Sequence, residues 1–176
     1  MQLNGKFIET NSKINARYLT RAAVIAALYV VLTYLAGLMN LAYGPVQFRF
    51  SEALTVLPFL FPEAIPGLFV GCVVSNIISP YGVLDLVVGS AATLLAAIWT
   101  AKCGRRFFAP MPPVLCNAVL VGAMIAWYEA GSGAGFLPAF AYNALTVGAG
   151  ELVVCYVLGL PLLKVLENRG VMKTAA

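Results

Sequence analysis

The sequence predicts an all-α membrane protein: a bundle of six transmembrane helices with a short second helix and both termini cytoplasmic. Three observations carry this expectation. Of 176 residues, 61% are apolar and 10% charged, against roughly a quarter charged in a soluble domain. The apolar residues gather into blocks separated by turns rich in Gly, Pro and polar residues. The eleven Lys and Arg residues fall into three clusters and one outlier, the pattern that orients spans in a bilayer. A spanning helix takes about 20 residues, so five or six fit and a nucleotide-hydrolysing domain does not. Residues 1–176 therefore read as a single integral membrane domain opening with a polar segment, 1–17.

The elements follow in order. The stretch before Arg21 is polar, so no cleavable signal peptide is expected and the first span directs insertion. Spans are predicted near 18–37, 51–61, 64–79, 83–101, 113–128 and 138–163. The second is the shortest: as an α-helix it rises only about 17 Å, roughly half a bilayer core, and Pro58 lies within it. Fusing residues 51–79 into one kinked helix gives five spans instead. Charge arbitrates. With six spans, Lys6, Lys13, Arg17 and Arg21 share a side with Lys102, Arg105 and Arg106 and with Lys164, Arg169 and Lys173, leaving Arg49 alone; with five, the middle cluster faces the other way. Pro62 and Pro66 favour a break near Glu63, because each disfavours helix in the residue before it.

Several function classes drop out. The basic residues form no face accompanied by nucleic-acid motifs, so no nucleic-acid partner is expected. Cys72, Cys103, Cys116 and Cys155 stand singly and the chain has no histidine, which argues against a metal site and leaves the thiols as small buried hydrophobes. Neither H-E-x-x-H nor G-x-S-x-G occurs, and Asp85 is the single aspartate, so an intramembrane enzyme is not expected, nor is a cofactor.

Charges inside a membrane cost about 2.5–3.5 kcal/mol each at a helix centre, so each needs a partner or a purpose. On the six-span topology Arg49, Glu52, Asp85 and Glu129 lie on the outer side, Glu151 near the middle of span 6, and Asn76 and Asn143 in the outer halves of spans 3 and 6. Asn117 and Glu63 fall on the inner side. Such convergence predicts an outward-open pocket, mostly apolar with a few polar groups that orient the ligand. Asn143 and Glu151, eight residues apart, sit about 80° around and about 12 Å along one helix, so both can line it. Gly148, Ala149 and Gly150 would let a ring or a neighbouring helix approach the backbone. Four carboxylates against Arg49 disfavour an anionic ligand. A carboxylate suits the adjacent N–H and NH2 donors of a guanine-like ring, and a second one suits an ammonium. The structural alternatives are an Arg49–Glu52 pair, Asp85 and Glu129 as solvated helix ends, and Gly148 and Gly150 as packing residues. Tyr43, Phe48, Tyr81, Trp127, Tyr128, Phe140 and Tyr142 crowd the same level, either stacking on a flat ligand or forming an interfacial belt. In span 1, Ala22 with Ala26 and Ala23 with Ala27 make two small-x-x-x-small pairs, a predicted docking face.

Read together, Gln47-Phe48-Arg49-Phe50-Ser51-Glu52-Ala53-Leu54-Thr55 with Tyr43-Gly44-Pro45-Val46 before it, then Phe61-Pro62-Glu63-Ala64-Ile65-Pro66-Gly67, Ser75-Asn76, Ser79-Pro80-Tyr81-Gly82, Leu84-Asp85 and Gly150-Glu151-Leu152-Val153-Val154-Cys155-Tyr156, resemble the QueT family of queuosine-precursor transporters. These are among the S components of energy-coupling factor (ECF) importers, and the resemblance spans most of residues 20–163. It implies a six-helix S component in a prokaryotic plasma membrane that captures a 7-deazaguanine, such as the 7-aminomethyl form, or queuine, from outside. It also implies partners: a transmembrane coupling protein, docked through the span 1 alanines, and two ATPase subunits that drive a toppling of the S component. The chain has no G-x-x-x-x-G-K-[ST] of its own, in keeping with an external ATPase. The expected substrate-binding residues are Glu151, Asn143, Asp85, Asn76, Arg49, Glu52, Trp127, Glu129 and Tyr81. The competing readings are an S component for another vitamin, where a carboxylate-bearing ligand such as biotin would suit the acidic pocket poorly, and a channel or scaffold subunit without a specific small ligand.

Overall fold

A computed structural model describes residues 16–42 and 47–169. Lys6, Lys13, Lys173 and the Tyr43-Gly44-Pro45-Val46 segment lie outside the described residues. Among the described residues all regular structure is helical, in six segments: helix 1 (Ala16–Leu38), helix 2 (Phe50–Phe59), helix 3 (Ala64–Asn76), helix 4 (Asp85–Ala101), helix 5 (Arg106–Ala130) and helix 6 (Phe136–Asn168). Each falls where the sequence predicts one. Helices 1, 5 and 6 are long and apolar enough to cross a membrane, while helices 2, 3 and 4 are shorter.

Helix 1 ends on Asn40, whose positive φ of 56° closes a left-handed cap. The Leu41 N–H reaches the Ala36 carbonyl and the Asn40 N–H the Gly37 carbonyl, both at 2.9 Å, satisfying two otherwise orphaned acceptors. Helix 3 lies along helix 1 at close range because it presents Gly67 and Gly71. A Cβ on Gly67 would meet the Ala22 carbonyl oxygen at 2.6 Å, and one on Gly71 the Ala26 carbonyl oxygen at 2.9 Å. This is small-x-x-x-small packing, in which backbones replace side chains at the seam.

Helix 2 is a 3-10 helix ten residues long, where the sequence predicts a short α-helix. Every residue from Ser51 to Pro58 is buried, and the segment touches all five other helices. A 3-10 helix is narrower than an α-helix and rises about 2 Å per residue, which suits an element enclosed on every face. Pro58 contributes no N–H, and Pro62 stands just beyond the closing bond from Leu60 N–H to the Leu57 carbonyl at 2.8 Å.

Helices 4, 5 and 6 are regular except at three π-helical stretches, Asp85–Gly89, Asn117–Val121 and Val154–Gly159. Buried apolar side chains fill the space between elements: Ile25, Leu54, Leu57 and Leu68 around helix 2, and Val121, Met124, Ile125 and Val147 between helices 5 and 6. The beginning of helix 1 (Arg21, Val24) and the end of helix 6 (Leu162, Leu166) line one groove. Arg21 pairs with Glu63 at 2.7 Å and Arg106 with Glu167 at 2.8 Å. The first and last helices therefore meet at one end of the bundle, together with the 2–3 turn and the segment between helices 4 and 5.

Candidate functional site

Away from that basic end, polar side chains gather inside the bundle in three connected groups. The first joins the segment before helix 2 to helices 3 and 4. Arg49 Nη2 donates to Asp85 Oδ2 at 3.1 Å, Arg49 Nε to the Ala42 carbonyl at 3.1 Å, and Ser79 Oγ to the same Asp85 oxygen at 2.7 Å. The ion pair is dry, with side-chain exposures of 6% and 0%. Asn76 Nδ2 donates to the Asp85 backbone carbonyl at 3.0 Å, within the first turn of the π stretch of helix 4. The expected alternative, a pair between Arg49 and Glu52, does not form as a direct bridge; Arg49 reaches across the bundle to Asp85 instead.

The second group is central. Glu52 accepts a hydrogen bond from the Tyr29 hydroxyl of helix 1. Glu151 accepts from Asn117 Nδ2 at 2.9 Å. Cys155 joins the helix 2 backbone to Glu151, its sulfur 3.4 Å from the Glu52 backbone carbonyl and 3.6 Å from Glu151 Oε2. Thr33 donates to Ser51 Oγ at 2.7 Å beside them. Asn117, placed on the inner side by the sequence analysis and left out of the candidate set, is thus a direct partner of Glu151. Its amide inside an apolar run was the signal available.

The third group closes the far end between helices 5 and 6, where Asn143 Nδ2 donates to Glu129 Oε2 at 2.8 Å. Helices 5 and 6 are therefore joined by two amide–carboxylate rungs with the roles exchanged: Asn117 to Glu151 and Asn143 to Glu129. Glu129 itself is exposed, whereas Asn143 and Glu151 are buried at 2% and 5% exposure. Tyr81, on the turn before helix 4, packs edge-on against Tyr128 with ring centroids 5.2 Å apart. Burial pushes its phenol pKa up, and the nearby charges of Glu129 and Asp85 add to that. Its backbone N–H donates to Ser79 Oγ at 3.3 Å, so Tyr81 touches the first group and, through Tyr128, the neighbour of the third.

Two predicted residues stand elsewhere. Trp127 is 54% exposed and lines an apolar groove with Leu84, Val88 and Phe136 on the outside of the bundle, so it joins the exposed aromatic surface and not the buried set. The four alanines of helix 1 divide: Ala22 is buried against Gly67 and the Ala26 backbone abuts Gly71, while Ala23 and Ala27 are exposed. The Ala22/Ala26 pair is consumed by packing within the chain.

Each π stretch carries or adjoins a member of these groups: Asp85 in helix 4, Asn117 in helix 5, and Cys155 in helix 6 with Glu151 one turn earlier. A π turn widens the helix and re-aims side chains, and such turns concentrate at functional sites. Several buried polar atoms also lack a hydrogen-bond partner: the acceptors Glu52 Oε2, Asn76 Oδ1 and Asp85 Oδ1, and the donor Gln47 Nε2. Leaving such atoms unpaired costs about 1–3 kcal/mol each, more when charged, and so points to a partner yet to arrive. Gly150 sits directly under the Gln47 backbone, where any Cβ would collide with the Gln47 carbonyl. The segment leading into helix 2 thereby rests on helix 6 beside Glu151. Among the described residues no group of three or more Cys, Asp or Glu is arranged to hold a metal ion.

Comparison with known proteins places these features in a family. A family model described as QueT transporter matches residues 19–168. Over 73 residues the chain is 42% identical to Queuosine precursor transporter QueT of Lactococcus lactis subsp. cremoris (strain MG1363), a match covering 42% of this chain and 43% of that protein. The matched part is thus less than half the length of that relative. No solved structure matches the chain.

Proposed function

The chain belongs to the QueT transporter family, and we propose that it is the substrate-binding S component of an ECF-type importer that captures a queuosine precursor from outside the cell. In this reading all six helices lie in a prokaryotic plasma membrane. The end bearing Arg21, Arg106 and Lys164 is cytoplasmic, and the end bearing Arg49, Asp85 and Glu129 is extracellular, in keeping with the positive-inside rule. A transmembrane coupling protein and two ATPase subunits supply the energy. Of the four helix 1 alanines, Ala23 and Ala27 remain available for docking onto the coupling protein.

One observation carries the substrate class. Among the described residues, apart from the Arg21–Glu63 pair, the buried charges are Glu52, Asp85 and Glu151 against Arg49, and Arg49 is engaged with Asp85. Two carboxylates lie near each other in a dry interior with hydrogen bonds from Tyr29, Asn117 and Cys155, and among the described residues neither makes an ion pair. A guanine-like ring brings adjacent N–H and NH2 donors, which fit a carboxylate side by side, and a 7-aminomethyl group brings the missing positive charge. Glu151 takes the ring edge or the ammonium, Glu52 the other, and Asn117 holds the Glu151 carboxylate in place. Gln47, Asn76 and Asp85 offer the remaining unpartnered groups from the extracellular side.

The test is a thermal-unfolding panel on purified protein with 7-aminomethyl-7-deazaguanine, queuine, guanine, thiamine, riboflavin and biotin. A ligand bound only by the native state raises its unfolding temperature. Stabilisation is expected with the deazaguanines and not with biotin. Glu151→Gln should weaken binding by about 10- to 150-fold, the worth of one charged hydrogen bond or ion pair. Equal stabilisation by biotin, or an unchanged affinity in Glu151→Gln, overturns this reading.

A further inference from the structure

The basic end of the bundle carries a feature that substrate capture does not use. A groove of about 530 Å³ runs between the start of helix 5 and the last turns of helix 6, lined by Arg106, Phe107, Tyr156, Leu160, Pro161 and Lys164. Its chemistry is divided. Two cations, two aromatic rings and two aliphatic residues line it. Phe107 packs edge-on against Tyr156 with centroids 5.5 Å apart, yet remains 63% exposed. Arg106 gives one N–H to Glu167 Oε2 at 2.8 Å, and a guanidinium has five. Lys164 is exposed and forms no ion pair among the described residues.

We propose that this groove is a binding site for an anionic phospholipid of the inner leaflet, its phosphodiester held between Arg106 and Lys164 and the first part of an acyl chain laid over Phe107, Tyr156 and Leu160. Charge complementarity selects this occupant. The surrounding end of the bundle carries Arg17, Arg21, Lys102, Arg105 and Arg169 against Glu63 and Glu167, so an anion is drawn to it. Basic pockets between membrane helices on the cytoplasmic side are built to take anionic headgroups. An apolar shelf continuous with two cations matches a molecule whose charge and hydrocarbon are joined, which free phosphate is not. The site adjoins the π stretch Val154–Gly159 through Tyr156. Lipid seated there braces the same helical irregularity that carries Cys155 toward Glu151. The proposal requires that this end of the bundle meet the bilayer surface and is independent of which ligand the other end takes.

The experiment measures binding of dioleoylphosphatidylglycerol, dioleoylphosphatidylcholine and inorganic phosphate to the detergent-solubilised protein, by native mass spectrometry and by thermal unfolding. Phosphatidylglycerol should bind more tightly than phosphatidylcholine, and inorganic phosphate should give no comparable stabilisation. Lys164→Gln should weaken phosphatidylglycerol binding roughly fivefold, the worth of one juxtamembrane cation, without altering unfolding in phosphatidylcholine. Glu167→Gln releases Arg106 and should strengthen phosphatidylglycerol binding, a gain that a damaged fold cannot give. Arg17→Gln, which does not line the groove, should weaken phosphatidylglycerol binding far less than Lys164→Gln. Three results overturn the proposal: a phosphatidylglycerol preference intact in Lys164→Gln, an equal loss in Arg17→Gln, or full stabilisation by inorganic phosphate. A fourth does so as well: Lys164→Gln that leaves lipid binding intact but weakens association with the coupling module makes the groove a protein interface.

Discussion

Helices 1 and 3 meet as regular helices across alanines and glycines in close backbone approach, with the Arg21–Glu63 pair at one end. Helices 4, 5 and 6 meet across π stretches, amides and carboxylates, while the buried polar atoms without partners lie on the approach to helix 2, helix 2 itself, the end of helix 3 and the start of helix 4. One seam is assembled for close packing, the other holds irregular helix and buried amide–carboxylate pairs. In the proposed function, stability and ligand recognition fall to different seams, with helix 2 in contact with both.

Substitutions should separate the two seams. Gly71→Val presses a branched side chain into the helix 1 backbone and should cost roughly 3 kcal/mol, near the upper range for overpacking, lowering the unfolding temperature in detergent with or without ligand. Tyr29→Phe removes the donor to Glu52 and leaves both carboxylate oxygens bare. A loss of about 1–3 kcal/mol is expected, part of it recovered on adding a cationic deazaguanine, which would supply a new donor. Gly150→Ala pushes the Gln47 backbone off helix 6, so affinity measured by calorimetry should fall about tenfold, or about 1.4 kcal/mol. If Gly150→Ala binds normally, the contact between the helix 2 approach and helix 6 is packing like that of the first seam. The smallest effect is expected from Arg21→Gln. Its side chain is 58% exposed, and a solvent-screened pair contributes between 0 and 1 kcal/mol to unfolding.

Much of the fold was legible because hydrophobic block length and charge clustering survive in one dimension. All six segments lie where the apolar runs and prolines put them. What was not legible is helical type. In a ten-residue segment buried on every face no polar residue marks the period, so the 3-10 winding of helix 2 leaves no trace, and π turns leave none either. The site was readable as a set of costly residues and not as a set of pairs. Arg49 and Glu52 are neighbours in sequence, but the dry ion pair is with Asp85, since tertiary proximity follows the bundle. Asn117 was left out of the candidate set because depth was counted from the span ends, and the packing of helices 5 and 6 brings its amide onto Glu151. Trp127 was drawn inward by its aromaticity, though large rings at a helix end face outward just as readily. The alanines of helix 1 gave a correct small-residue face, and only the glycines of helix 3 reveal which half of it is already occupied.

Helix 2 has a consequence for how the chain is made. At ten residues it cannot hold a place in the bilayer alone, and its covering comes mostly from segments synthesised after it: the Thr55 hydroxyl is 3.7 Å from the Cys155 sulfur, a hundred residues later in sequence. On the proposed topology the translocon has to release an unfinished segment that waits, shallow and unsheltered, until the final helix arrives to enclose it. Chains truncated before that helix should leave the ribosome with the middle of the molecule still open.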